Sequence, residues 1–221
     1  MELTAFAQWL NTAFGSFDYA ILQFFHGLAL AADPILRPLA LFLHFIGDGG
    51  LFSFLLAAAL LLFPKTRRAG VGILFAVAIG AIFTNLTIKL LVARPRPFAA
   101  EPIYGTWWEF VGAPAQGEFS FPSGHATAAA ASMTALCLCL RKKWYVLCPA
   151  ALYALLMGAS RNYLMVHYPT DVIGGIFVGA VAGTLSFLLV RKLWQLAERK
   201  QEAPFCRFLL CADIRTVGKK K

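Results

Sequence analysis

Charge is scarce in this chain. Only 14% of its 221 residues are charged, with eleven Asp and Glu against twenty Lys and Arg. With 59% hydrophobic residues and a mean hydropathy of +0.68, the composition excludes an ordinary soluble domain of this length and implies an integral membrane protein. Internal repeats and low-complexity tracts are missing, and the connections between apolar runs leave no room for a second soluble domain. Met1–Thr4 lacks the basic stretch that opens a cleavable signal peptide, so none is expected. The expected organisation is one membrane domain over 1–195, followed by a basic tail over 196–221.

Long apolar runs are what the chain does have. About twenty apolar residues in a helix span the hydrocarbon core, and runs of that order cover 39–63, 69–92, 123–140, 144–160 and 169–190. A weaker run over 17–33 is diluted by Asp18 and His26 and is expected as a further crossing rather than an interfacial segment. The expected fold class is therefore all-α, a polytopic bundle of six transmembrane helices. Fifteen of the twenty basic residues fall in three groups: Lys65, Arg67 and Arg68; Arg141 to Lys143; and nine from Arg191 to Lys221. If every run crosses, these groups share one side, which the positive-inside rule makes cytoplasmic. Both termini are then expected in the cytoplasm and 98–121 outside, in an inner (plasma) membrane protein. Trp144, Tyr145 and Trp194 stand beside the basic groups, where interfacial aromatics belong. The net charge of +9 reads as topology plus attraction to anionic membrane lipid, not as a nucleic-acid surface. Cys137, Cys139, Cys148, Cys206 and Cys211 all lie toward the cytoplasmic side, so no disulfide framework is indicated.

The remaining basic residues are Arg37, Lys89, Arg94, Arg96 and Arg161, and four of them sit at the outer ends of apolar runs, where ionised groups are costly and mark sites. Three short strings gather there. KLLVARPRP, residues 89 to 97, carries Lys89 and Arg96 two helical turns apart, although Pro95 and Pro97 argue that the helix stops and bends its arginines back. Pro122-Ser123-Gly124-His125 opens the next run, and SRNYLMVHYPTD joins Arg161 to His167 and Asp171. Each has a plainer explanation alone: snorkelling cations, a helix cap, an i,i+4 pair. Together they place three cations, two histidines and a carboxylate on one membrane face. Phosphoryl transfer uses such a set, because its spread negative charge needs fixed cations and N–H donors. Lys89, Arg96 and Arg161 would supply the cations. Ser123 and Gly124, at a helix N-terminus, would seat an anion, and His125 could exchange a proton with it. Carboxylates are too few there for a magnesium cage, so no metal or other cofactor is expected.

These strings resemble the three signatures of the type 2 phosphatidic acid phosphatase family, which shares its catalytic core with vanadium haloperoxidases. They read Lys89…Arg96-Pro97, Pro122-Ser123-Gly124-His125, and Ser160-Arg161…His167…Asp171, complete and in order. The resemblance spans roughly 35 to 190 and is nearest to small bacterial members. It implies His167 as a nucleophile that becomes a phosphohistidine, Asp171 as the group orienting its ring, and His125 as general acid and then base. It implies phosphoryl-oxygen contacts from Lys89, Arg96, Ser123, Gly124 and Arg161, without a metal. The implied activity is a membrane lipid phosphatase with an extracytoplasmic site, undecaprenyl diphosphate being the first substrate choice. Phosphatidylglycerophosphate, phosphatidate and lipid A are the alternatives, and no obligatory protein partner is expected. A channel or transporter is the contrasting class, but the cytoplasmic halves lack the polar lining a conduit needs.

Other residues fall outside the signatures. Arg94 could contact a second phosphate. Asp48, in the GDGG stretch, could join the outer site or simply mark a kink. Gly175, Gly179 and Gly183 recur every four residues, as on a close-packed helix face. Trp107 and Trp108 are expected to dip into the outer leaflet.

Overall fold

The computed structural model describes residues 3–117, 119–140, 144–200 and 202–211. Glu118, the basic group Arg141 to Lys143, and Arg215 with Lys219 to Lys221 therefore lie outside the described residues. Every regular element among those described is helical. In chain order these are α1 (Ala5–Gly47), a 3₁₀ turn (Asp48–Gly50), α2 (Leu51–Leu61), α3 (Pro64–Ala81), a π-helical stretch (Ile82–Ile88) and α4 (Lys89–Val92). There follow α5 (Pro97–Ala100), α6 (Pro102–Val111), α7 (Gly124–Cys139), α8 (Trp144–Tyr163), α9 (Pro169–Arg199) and α10 (Pro204–Cys211). The stretches Ala5–Leu61, Pro64–Ala100 and Pro169–Arg199 are each long and apolar enough to cross a membrane.

Two expected runs are cut differently. The run 39–63 is not one helix, because Gly49 (φ 55°) and Gly50 (φ 78°) take left-handed conformations that break it below Gly47. Upstream, α1 bends at Ala32, whose φ of −144° is non-helical, and Pro34 opens the second half where its missing N–H costs nothing. That second half starts at the end of the bundle where Tyr163 closes α8: Tyr163 Oη donates to Asp33 Oδ1 at 2.9 Å, and Arg37 donates to the Phe110 carbonyl at 2.7 Å.

The first half of α1 corrects the expected sixth crossing. At about 1.5 Å per residue, 5–31 is roughly 40 Å long, so a crossing helix would touch one end of the bundle early and the other late. Instead Leu10 packs with Val92, Leu22 with Met165 and Tyr168, and Ala29 with Val111 and Leu164. All of these partners lie at the end holding Arg96 and His167. Residues 5–31 lie across that end, and the N-terminal stretch is not on the side of the basic groups. Five segments run the length of the bundle among the described residues: 33–61, 64–92, α7, α8 and α9.

The tightest seam is between α7 and α9. A Cβ added at Gly175, Gly179 or Gly183 would stand 2.6, 2.5 and 2.6 Å from the carbonyl oxygens of Ser123, Thr127 and Ala131. The expected glycine face is thus real, and Ala126, Ala130 and Ala131 give α7 the matching small surface. Where 169–190 was expected, α9 runs on to Arg199, because the good helix formers beyond the apolar stretch continue it. All five cysteines are free thiols.

Candidate active site

The site forms where four chain segments end. The π-helical stretch delivers the first side chains. Its wider turn is pinned by Thr84 Oγ1 donating to Thr127 Oγ1 at 3.0 Å in the interior, and it turns Asn85 and Lys89 toward one cavity. The helix then stops at Val92, with Ala93 left-handed (φ 48°), so Lys89 and Arg96 meet across a bend rather than along one helix face. Arg96 Nη1 donates to the Val166 carbonyl at 2.8 Å and lies 3.3 Å from His167 Nε2.

His167 stands in the tight connection between α8 and α9. Met165 there is left-handed (φ 55°), and Asn162 holds the His167 carbonyl at 3.0 Å. The imidazole is only 2% exposed. Burial pushes it down to about 4, Asp171 pulling against that shift and Arg96 and Lys89 adding to it, so the ring is neutral at pH 7. Behind it, Nδ1 is 3.6 Å from Asp171 Oδ2. That is too long for a hydrogen bond. The same carboxylate accepts from Ser120 Oγ and from the Tyr168 N–H, the latter at 2.8 Å, and so also caps α9.

Across the cavity, Ser123 caps α7 by accepting from the Ala126 N–H at 3.4 Å, and its own N–H is committed to the Asp171 carbonyl at 3.0 Å. Ser123 is therefore a hinge between α7 and α9, and the helix-end seat falls to Gly124. A Cβ on Gly124 would project to 3.6 Å from Asn85 Oδ1 and 4.0 Å from Lys89 Nζ, that is, into the cavity itself. Next to it His125 also lines the cavity, and its buried Nε2 has no hydrogen-bond partner among the described residues.

The cavity holds about 400 Å³, with Lys89, Arg96, Gly124, His125 and His167 on its walls. Asp48 joins them, so the GDGG break faces the site as well as kinking the chain. Ser123, Asp171 and Arg161 stand behind this wall. Arg161 is buried, with Nη1 3.0 Å from His44 Nδ1 and two longer bonds of 3.2 Å to Ser160 Oγ. His44 in turn lies 5.3 Å from His125, centre to centre. The second-phosphate role considered for Arg94 fails: it is 1% exposed and ion-paired to Asp18 and Asp171. His44, Gly47, Asn85 and Ser120 are site residues the signatures do not contain. An ionisable His44 inside an apolar run was the one available signal.

Cations, a neutral buried imidazole backed by a carboxylate and a second imidazole with its Nε2 left open suit the handling of a phosphoryl group. Comparison with known proteins agrees. Over 192 residues the chain is 30% identical to an undecaprenyl-diphosphatase of Bacillus subtilis, covering 84% of this chain and 92% of that one. Its fold matches LpxE of Aquifex aeolicus with a TM-score of 0.60 and 26% identity, over 75% of this chain and 93% of that one. It also matches a transmembrane PAP2-type phosphatidylglycerolphosphate phosphatase from Bacillus subtilis, with a TM-score of 0.60 and 28% identity, over 85% and 90% of the two chains. Residues 69–195, from the second turn of the third helix almost to the end of the ninth, match the profile of that same group, and the chain belongs to the PAP2 superfamily.

Proposed function

We propose that this membrane PAP2 lipid phosphatase hydrolyses a lipid phosphate or diphosphate through a phosphohistidine on His167, at an extracytoplasmic site. The observation that carries the reading is Arg96 Nη1 at 3.3 Å from His167 Nε2, on a cavity wall shared with Lys89, Gly124 and His125. A phosphoryl oxygen held by Lys89 and Arg96 brings phosphorus against the Nε2 lone pair. That pair forms the P–N bond as the bond to the lipid or phosphate oxygen breaks, and His125 gives that oxygen a proton. Water then attacks phosphorus, His125 takes its proton, the P–N bond breaks and neutral His167 returns with inorganic phosphate. Arg161, behind His44 and His125, adds positive field to the developing charge.

Undecaprenyl diphosphate is the proposed substrate, supported by the undecaprenyl-diphosphatase relative that spans most of the chain. Phosphatidylglycerophosphate, phosphatidate and lipid A phosphates present the same phosphoryl chemistry and form the comparison set. The test is phosphate release from each purified lipid, followed by quenching a ³²P-labelled reaction in alkali, where a phosphohistidine survives. Wild-type protein should retain label, most rapidly from undecaprenyl diphosphate, and His167→Ala should retain none. Label persisting on His167→Ala would refute the nucleophile, and no release from any of these lipids would refute the function.

A further inference from the structure

Arg94 and Asp18 form a heavily committed polar cluster, yet neither lines the cavity beside His167. Arg94 directs each side of its guanidinium at a different element. Nε donates to Asn11 Oδ1 at 2.8 Å, Nη2 to Asp18 Oδ2 at 2.8 Å, and Nη1 to Thr170 Oγ1 at 2.8 Å and Asp171 Oδ1 at 2.7 Å. Tyr168 covers its face at 3.8 Å. Asp18 also accepts from the Thr170 N–H at 2.9 Å and from its hydroxyl at 2.7 Å. Both side chains are 1% exposed.

We propose that Asp18, carried by the N-terminal helix outside the matched family region, is a positioning residue for the His167–Asp171 pair, acting through Arg94. The inference rests on the proposed role of His167. A fixed guanidinium at 2.7 Å from Asp171 Oδ1 competes with the imidazole for that carboxylate, whose other oxygen already accepts two donors. Asp18 cancels this competition. The buried row runs anion, cation, anion, imidazole, and its first member leaves the third one charge strong toward His167. Asn11 anchors the same arginine from the same helix without charge, so it separates charge from attachment. Thr170 is held by Asp18 at the first turn of α9, which fixes the height of Asp171 one residue on.

The experiment compares Asp18→Asn with Asn11→Ala, with p-nitrophenyl phosphate and undecaprenyl diphosphate as substrates. Asp18→Asn is isosteric and keeps one oxygen acceptor for the Thr170 N–H. Its kcat should fall about 10–100-fold, the loss typical when a group supporting a reacting side chain is removed, with KM little changed. The pH profile supplies the sign. The groups facing His167 are Lys89 and Arg96 from the 89–96 segment, His125 from α7, Arg161 from α8 with His44 from α1, and Asp171 with Arg94 from behind. Removing the Asp18 charge leaves Arg94 balanced by Asp171 alone, weakens the negative field at His167, disfavours imidazolium, and moves the acid limb of kcat/KM to lower pH. Simple loosening would admit water, relieve burial and move that limb to higher pH. Substrate ionisation is common to both proteins and cancels in the comparison. Asn11→Ala should change kcat less than about threefold and leave the limb in place. An unchanged Asp18→Asn enzyme, a limb moving upward, or equal losses in both variants would each overturn the proposal. Wild-type protein that hydrolyses neither substrate would instead overturn the phosphatase reading on which it rests.

Discussion

Gly175→Ala adds one methyl group to the tight α7–α9 seam, at its glycine nearest the site. The new Cβ would stand 2.6 Å from the Ser123 carbonyl oxygen, 3.1 Å from Ala126 Cβ and 3.3 Å from the Thr127 nitrogen. The nearest atom is backbone, so no side chain can swing away, and α9 must move off α7 by several tenths of an ångström. Overpacking of this kind costs about 1–3 kcal/mol, which for a chain of this size lowers the melting midpoint by roughly 2–12 °C. The same displacement acts on chemistry. Asp171 lies one turn above Gly175, and its carbonyl accepts the Ser123 N–H at 3.0 Å, so the carboxylate behind His167 separates from the start of α7. Misplacement on the ångström scale can cost about 100-fold in rate. A shift of several tenths should therefore lower kcat by about 10-fold or more, with KM less affected. The control is Gly27→Ala, where nothing lies within 4 Å of the added Cβ. There the helix gains about 0.5–1 kcal/mol from the loss of glycine's backbone freedom. Detergent-solubilised protein, melted with an intrinsic-fluorescence readout and assayed by phosphate release, measures both quantities. A Gly175→Ala protein with wild-type midpoint and kcat would refute the claim that this seam sets the site.

His125→Ala should lose about 10²–10⁴-fold on a lipid monophosphate, whose alkoxide needs a proton, and markedly less on p-nitrophenyl phosphate, whose phenolate departs unaided; equal losses would remove it as the acid. Activity should survive excess EDTA and fall with vanadate, whose trigonal-bipyramidal adduct mimics the in-line transition state; loss on chelation, restored by magnesium, would contradict a site charged by Lys89 and Arg96. In a background without native cysteines, an impermeant thiol reagent added to intact cells should label Gln8→Cys and Glu109→Cys but not Thr66→Cys. Protection of Gln8→Cys would restore a crossing for the N-terminal helix.

The groups that line or back the cavity were legible because each signature is local. Lys89 with Arg96, Gly124 with His125, and His167 with Asp171 are close in sequence, so spacing alone announces them. Their supports are not local. Asp18 meets Arg94 across 76 residues and His44 meets Arg161 across 117, contacts that no periodicity reveals. Asp18 and His26 registered only as polar dilution of an apolar run, although Ala7, Asp18 and Ala29 repeat every eleven residues and form one buried stripe. The bend at Ala32 carries neither glycine nor proline at the break itself, so a crossing and a surface helix looked alike. Glycine spacing on α9 succeeded because its cause, backbone approaching backbone, leaves residue size as its record.

The helix laid across the site end has a consequence for biosynthesis. Its Asp18 bonds to Thr170, 152 residues later in the chain, and these are among the longest-range polar contacts in the protein. The ribosome makes the first partner early and the second only when most of the chain has been synthesised. Until then the polar mates of the N-terminal helix are Arg94, held by Asn11 and Asp18, and the Val92 carbonyl, and the contacts that join it to α9 form later, at a larger loop-closure entropy. A nascent chain halted before α9 therefore lacks Thr170 and Asp171, and the N-terminal helix and the carboxylate behind His167 are fixed together with the last long helix.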